Sequence, residues 1–366
     1  MRRFSVKIAV LTSRLDQFSG SEIVALEAAT HFASIGHIVT VQADKISPDM
    51  FTIADSKYHL QVQPLEISEY DFVWSQHGQF LHNISDPKLL LNWRGSLVSV
   101  HLSYYHPIET LHHPISKRFA TMRLFNADVT RDTLEGKEET DNIYVLRNAA
   151  PLRFHQMPSK SFETLRNILI VSNHLPNDLL IAAKKLEELG FKIKIIGKGH
   201  IVKLLEPSDF FDIQAVISIG KTVQYALVAG IPVFCYDHFG GPGWLSELNI
   251  RKAEYLNFNG TCSTTRESPH EIVQDIINGY EEASSFSKLN WPAHSDRYNL
   301  NRCLDEVLLM SQGNKITTPF DILQIEIVKN FSYGGKKLKQ RLKVFRKVIA
   351  LLFILCIILL SSHFIL

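Results

Sequence analysis

Two series of alternating strand and helix patterns most constrain what this chain can fold into. In the first 150 residues, short apolar runs occur at 6–11, 38–41, 72–74 and 97–100. Between the first two runs, apolar residues recur with the spacing of one helical face, and Gly36 then supplies a helix-ending glycine. Short apolar strands covered by helices predict a parallel sheet.

A second series begins near residue 166. Four apolar runs predict strands, and two stretches with helical periodicity lie between them. The predicted strands cover 167–172, 191–197, 215–220 and 231–236, and the helices cover 177–190 and 221–230. Further helical patterns follow at 269–285 and 295–309. Alternating elements with short connections are typical of doubly wound α/β sheets.

The two series predict two Rossmann-like domains, an arrangement that suits a chain of 366 residues. We place the first domain at 1–150, a hinge at 151–165 and the second domain at 166–312. The hinge carries Pro151 and Pro158 among polar residues. Because ligands bind beyond the carboxyl ends of parallel strands, we expect the two sheets to face a shared cleft.

The charge distribution argues against a general nucleic-acid binder. The formal net charge is +2, but seven basic residues and no acidic residue fall within 336–347. The rest of the chain is therefore mildly acidic, whereas a nucleic-acid binder spreads positive charge over a groove. Four scattered cysteines without zinc-site spacing indicate a reducing compartment.

The last 19 residues predict attachment to a membrane. Residues 348–366 carry no formal charge, and as a helix they would span roughly 28 Å, close to the thickness of the bilayer core. The preceding segment, 313–347, reads as a linker with a basic juxtamembrane stretch that favours the cytoplasmic face. A buried amphipathic helix is the alternative, but 348–366 shows no polar face.

Residues 218–222 (SIGKT) lie where a strand should turn into a helix. Gly220 permits close backbone approach, Lys221 adds a positive charge, and Thr222 adds a hydroxyl. The free N–H groups of a helix start favour an anion, so these three residues are candidate phosphate ligands. A helix start with an exposed lysine is the alternative. The ATP-binding P-loop pattern fails because Ala215 stands at its first glycine position.

A glycine-rich segment, 236–244 (YDHFGGPGW), follows the next predicted strand. Asp237 and His238 lie at the carboxyl end of that strand, where ligand-binding residues gather. Gly240 and Gly241 suit a tight turn, and Pro242 suits the first turn of a following helix. We expect this segment to contact a ligand, although a purely structural turn has the same composition.

Other strand ends carry further candidates. Asn173 and Lys198 follow the first two strands of the second series, and Lys198 is a candidate phosphate partner. In the first domain, Gly20 and Ser21 open a helix, and a cap from Ser19 or Ser21 accounts for them equally well.

Two histidines also end strands of the first series, His77 and His101. A histidine there can act as acid, base or hydrogen-bond donor to a sugar hydroxyl, and a structural role is the alternative. We predict no metal site, since the sixteen histidines form no HExxH motif.

Four stretches together resemble the two-Rossmann, or GT-B, glycosyltransferases that use nucleotide sugars, particularly their large retaining family. They are SGSEIVALEAATHFASIGHIVTV, DFVWSQHG with SLVSVHLS, IYVLRNAAPLRF, and VISIGKTVQYALVAGIPVFCYDHFGGPGWL. The resemblance implies an α/β GT-B fold, a nucleotide-diphosphate sugar in the second domain and an acceptor in the first. It also implies catalysis without a cofactor or bound metal, places His101 near the chemistry, and favours retention of anomeric configuration.

Two family features are absent from the sequence. The paired glutamates of the donor helix would fall near Ile217 or Ser218 and on Tyr225, and SNHLPND stands where an Arg and Lys pair is usual. Our leading hypothesis is a cytoplasmic, C-terminally anchored glycosyltransferase with a lipid-linked or polysaccharide acceptor. The alternatives are a nucleotide-sugar epimerase and a catalytically degenerate, membrane-tethered partner protein of the same fold.

Overall fold

The computed structural model describes residues 5–86, 89–90, 93–137, 142–155, 164–263 and 266–313, which form two α/β units, each built on its own sheet. Residues 156–163 of the predicted hinge lie outside the described residues, as do the basic stretch and the predicted membrane helix at 348–366. Within the described part of the chain, no helix is long and apolar enough to cross a membrane.

The first unit is a parallel sheet of seven strands in the order β3-β2-β1-β4-β5-β6-β7. Its strands are β1 (Lys7–Thr12), β2 (Ile38–Ala43), β3 (His59–Gln61), β4 (Phe72–Gln76), β5 (Ser96–His101), β6 (Met122–Phe125) and β7 (Ile143–Val145). Its helices are α1 (Gly20–Ser34), α2 (Pro48–Ala54), α3 (Pro107–Thr110), α4 (His113–Phe119) and α5 (Asp128–Glu135). The central strands are almost wholly buried because helices cover both faces of the sheet. The predicted strands and the helix end at Gly36, with φ +93°, are confirmed.

The second unit is a sheet of five strands in the order β12-β11-β10-β8-β9. Its strands are β8 (Asn167–Val171), β9 (Lys192–Ile196), β10 (Ala215–Ser218), β11 (Val233–Asp237) and β12 (Gly240–Trp244). Its helices are α6 (Asn177–Glu188), α7 (Lys221–Val228), α8 (Ile250–Tyr255) and α9 (Pro269–Arg297), and α10 (Leu300–Gly313) follows. All pairings are parallel except that of β11 with β12.

Two local predictions in the second unit are wrong. Pro242 does not begin a helix; it lies in β12, an edge strand, where a residue without an N–H group is tolerated. The helical pattern predicted to stop at 285 continues to Arg297 and passes through Pro292. The apolar periodicity fades there because small polar residues, Ser284 and Ser287, occupy the buried face.

The last described helix, α10, packs on the first sheet although it follows the second unit in sequence. His31 of α1 donates from Nε2 to Asp305 Oδ1 at 2.9 Å and accepts at Nδ1 from Asn301 Nδ2 at 3.0 Å. Ser96 Oγ donates to the carbonyl of Ser311 at 2.9 Å. The segment 166–312, predicted as one domain, therefore ends in a helix that returns to the first domain.

A buried ion pair joins the two units. Lys221 Nζ of α7 lies 2.8 Å from Glu27 Oε2 of α1, and both side chains are nearly inaccessible to solvent. Nζ also donates to the carbonyls of Ala149 (3.0 Å) and Asn148 (3.3 Å), and the Tyr225 hydroxyl donates to Glu27 Oε1. Apolar residues of both units form one continuous core around these contacts.

We predict that Lys221→Met lowers the free energy of unfolding by about 3–5 kcal/mol, because Glu27 is then a buried charge without its ammonium partner. Adding Glu27→Gln should restore much of the loss. Urea unfolding would measure both effects. Lys57→Met is the control, since Lys57 forms an exposed pair with Asp55 at 3.9 Å that should contribute less than about 1 kcal/mol. A loss below 1 kcal/mol for Lys221→Met would contradict the prediction.

Candidate functional site

A cavity of about 710 Å³ lies between the two units, at the carboxyl ends of strands from both sheets. Its second-unit wall comes from the segments that follow β8, β9, β10 and β11, and its first-unit wall from those that follow β1 and β2. Seven predicted site residues line this one cavity: Gly20, Asn173, Lys198, Lys221, Thr222, Asp237 and His238. The other predicted site residues, Gly220, Ser21, Gly240, Gly241, His77 and His101, are not among those lining it.

The start of α7 is built as the sequence suggests. Gly220 has φ +62° and donates its N–H to the carbonyl of Phe258 at 2.8 Å, which fixes the turn. Thr222 and the adjacent Ser218 and Ile219 line the cavity. The first N–H groups of a helix have no partner within it and carry partial positive charge. This helix start therefore presents a surface favourable to an anion.

The side chain of Lys221 lies elsewhere than the sequence suggested. Although the residue lines the cavity, its ammonium contacts three acceptors at the domain interface: Glu27 and the carbonyls of Asn148 and Ala149. Two of its three N–H donors bond to these carbonyls, and Glu27 Oε2 lies 2.8 Å from the nitrogen. Phosphate binding by Lys221 stays a prediction.

Lys198 is the better placed cation. It is exposed in the cavity wall after β9, and within the described part of the chain its ammonium forms no ion pair. Its backbone N–H donates to Asn173 Oδ1 at 3.2 Å, which ties together the segments after β8 and β9. Lys203, also in the cavity wall, instead pairs with buried Asp209 at 2.8 Å.

Asp237 places a buried carboxyl group beside the cavity at the end of β11. Ser172 Oγ donates to its Oδ1 at 2.9 Å, and His238 Nδ1 lies 3.5 Å from its Oδ2. Burial raises the pKa of Asp237 above its usual value, against the opposing hydrogen bond from Ser172. The ring of His174 packs edge-on against that of His238, with centroids 5.3 Å apart. This group offers several hydrogen-bond partners to a polyhydroxyl ligand.

Gly240 and Gly241 lie in β12 and pack against β11, the strand that ends at Asp237. A Cβ at Gly241 would lie 1.8 Å from the carbonyl oxygen of Cys235, so only glycine fits that close crossing of β11 and β12. Gly240 has φ +82° and pairs with Asp237 across the hairpin. Both glycines position the end of β11, and ligand contact by them stays a prediction.

A buried carboxyl group, that of Glu22, lies at the start of α1 beside the first-unit wall. Ser19 is the N-cap residue of α1, but it makes no capping side-chain hydrogen bond, so the predicted cap by Ser19 or Ser21 is wrong. Glu22, in the first turn, instead accepts the N–H of Gln17 at 2.6 Å. Burial raises the pKa of Glu22 to about 7.

The two predicted histidines belong to a buried cluster at the carboxyl edge of the first sheet. His101 is 2% exposed, stacks on Phe125, and has Nδ1 3.9 Å from Glu109 Oε2. His77 Nε2 lies 3.5 Å from Glu109 Oε1. Burial lowers the pKa of His101 to about 3 and that of His77 to about 4, so both rings are neutral near pH 7.

Sequence reasoning missed several residues of this region. Asp16, in the loop after β1, and Asp49, in the first turn of α2, line the cavity. Glu27 contacts Lys221, and Glu109 lies between two histidines. In the sequence, Asp16 is marked only by following a strand, and the other three only as acidic residues of helical segments, features that many surface residues share. Within the residues that the structure describes, no group of three His, Cys, Asp or Glu side chains is placed to hold a metal ion.

Comparisons with known proteins identify the fold. No family model matches the chain, and no curated protein matches it. Among solved structures, HepE (Alr3699) of Anabaena in complex with UDP-glucose is 13% identical, with a TM-score of 0.54 over 82% of this chain and 98% of that one. The structure of the same protein with UDP and glucose has a TM-score of 0.52 at 12% identity, over 82% of this chain and 98% of that one. LpCGTa in complex with UDP has a TM-score of 0.51 at 12% identity, over 85% of this chain and 100% of that one. The chain has the predicted GT-B fold.

Proposed function

We propose that this protein is a glycosyltransferase that moves a sugar from a nucleotide-diphosphate sugar to a lipid-linked or polysaccharide acceptor. The observation that carries the proposal is the interdomain cavity, which brings the start of α7, Lys198 and Asp237 together at the carboxyl ends of the strands. Similar structures that hold UDP-glucose or UDP support a nucleotide-sugar donor.

In this proposal the second domain binds the donor. The N–H groups at the start of α7 and the Lys198 ammonium neutralise the diphosphate, and they stabilise the charge that develops on it as the glycosidic bond breaks. Asp237 and His238 accept hydrogen bonds from sugar hydroxyls at the end of β11. No cofactor takes part, and these groups rather than a bound metal neutralise the charge.

The first domain binds the acceptor and faces the donor across the cavity. Domain closure would exclude water from the reaction. We also propose that 348–366 attaches the protein to the cytoplasmic face of a membrane, supported by the uncharged composition of that segment and the seven basic residues before it. Such attachment suits a lipid-linked or cell-surface acceptor.

Incubation of the purified protein with radiolabelled UDP-, GDP- and TDP-hexoses, with and without membrane lipid, tests the proposal. We expect label to move from one nucleotide sugar to lipid or glycan, and chelation of divalent metals to leave the rate unchanged. An isomerised sugar nucleotide without transfer would indicate an epimerase. Neither binding nor turnover would indicate a degenerate partner protein.

Lys198→Met should weaken binding of the nucleotide sugar by about tenfold or more, since a hydrogen bond to a charged group contributes about 1.5–3 kcal/mol. Titration calorimetry would measure the change. Lys203→Met is the matched control: it removes a lysine from the same cavity wall, while Asp209 keeps Lys194 at 2.7 Å. Equal affinity for the wild type and Lys198→Met would refute the assignment of Lys198 to the diphosphate.

Deletion of residues 348–366 should release the protein from membranes into the soluble fraction, because the deleted segment supplies the uncharged span. Fractionation of cells that express the full and truncated chains would show the difference. Nucleotide-sugar binding by the truncated protein controls for folding. Retention of the truncated chain in membranes would contradict the proposed anchor.

A further inference from the structure

A chain of polar contacts links a half-buried hydroxyl at the end of β1 to a buried carboxyl group in the first domain. Ser13 follows β1 directly, three residues before Asp16, which lines the cavity. Its Oγ lies 2.9 Å from His77 Nδ1. On the other side of the ring, His77 Nε2 lies 3.5 Å from Glu109 Oε1. The three side chains come from the ends of β1 and β4 and from α3.

The backbone fixes the direction of this chain. Ser13 donates its backbone N–H to His77 Nδ1 at 3.3 Å, so Nδ1 must carry a lone pair. The neutral ring therefore holds its proton on Nε2, directed at Glu109. The Ser13 hydroxyl then donates to Nδ1, which leaves its oxygen lone pairs available to accept a hydrogen bond from a ligand.

The backbone at His77 adopts a strained conformation. His77 has φ +55°, an uncommon conformation for a residue with a side chain, and Gly78 follows with φ +65°. A Cβ at Gly78 would lie 2.3 Å from the ring of His112, so the turn packs tightly. Strained residues of this kind persist where surrounding structure fixes them, often at functional sites.

We propose that Ser13, His77 and Glu109 form a proton relay that deprotonates the acceptor hydroxyl. This inference rests on the proposed glycosyl transfer. The acceptor proton passes to Ser13 Oγ, the Ser13 proton to His77 Nδ1, and the Nε2 proton to the Glu109 carboxylate. The acceptor oxygen bonds to the anomeric carbon, and the bond to the diphosphate breaks, its electron pair leaving with the phosphate. A protein base for the acceptor suits a single displacement with inversion of configuration, in place of the retention that the family resemblance favours.

The surroundings of Glu109 suit a proton store. It is 3% exposed, and burial raises its pKa to about 8, because the neutral acid is favoured away from water. His77 and His101 face the carboxyl group, and His106 and His112 lie near His77. His113, Arg123 and Glu135 lie on the far side of His101.

The relay needs an ionised Glu109, so the wild-type kcat/KM should rise about tenfold per pH unit below pH 8 and level off above it. His77 stays neutral over this range, because its pKa of about 4 lies well below it. Glu109→Gln should fold, since its amide has the shape of the protonated acid that prevails at neutral pH. It should bind the nucleotide sugar normally, lose the pH dependence between 6 and 9, and react at least about 100-fold more slowly at pH 9.

The test uses the full chain and the nucleotide sugar that turns over in the panel of UDP-, GDP- and TDP-hexoses. Ser13→Ala should also lower kcat/KM at pH 9. Ser13→Thr, which keeps a hydroxyl, should retain most of the wild-type value. Ser116→Ala is the matched control, because it removes a buried hydroxyl from the same cluster, one bonded to Ser99 rather than to the relay. The anomeric configuration of the product, read by NMR, should be inverted.

The outcomes separate this inference from the proposed function. If the wild type neither binds nor turns over any nucleotide sugar, the proposed function fails and the relay with it. If the wild type transfers sugar while Glu109→Gln matches it at every pH, or the product retains its configuration, the relay alone is overturned. The relay is supported if Glu109→Gln and Ser13→Ala lose the rise of kcat/KM toward pH 9 while their affinity for the nucleotide sugar is unchanged.

Discussion

The buried contact between Glu27 and Lys221 is the interaction on which the two-domain arrangement depends. It joins the first helix of one sheet to the helix that opens on the cavity in the other, so the position of the proposed phosphate site is coupled to the domain interface. A buried pair of this kind is costly to form and more costly to break on one side. Here it specifies how the two sheets face each other.

The same contact includes a position at which the sequence departs from the large retaining family that it resembles. Tyr225 stands where the second family glutamate is expected, and its hydroxyl donates to Glu27 across the interface. Helix α7 is buried over its whole length, with apolar side chains on the side away from the cavity. In the proposed function, the backbone N–H groups at its start and the Lys198 ammonium, from a different strand end, together neutralise the diphosphate.

The fold followed from the sequence because its signals are local. Buried parallel strands appear as continuous apolar runs, and glycines such as Gly36 mark helix ends, so the strand and helix order of both sheets was predictable. The return of α10 to the first sheet was not, because its polar contacts through His31 and Ser96 join residues more than 200 positions apart. For the same reason the sequence identified strand-end residues such as Asp237 and Lys198, but neither the partner of Lys221 nor the place of Glu109 between two histidines.

The position of α10 also determines which part of the molecule a force on the chain after α10 would act on. Ser311 is held by Ser96 at the beginning of β5, whereas His101, at the other end of that strand, lies toward the cavity side of the sheet. A pull on the chain beyond residue 313 would thus act on the edge of the first unit that lies opposite the cavity.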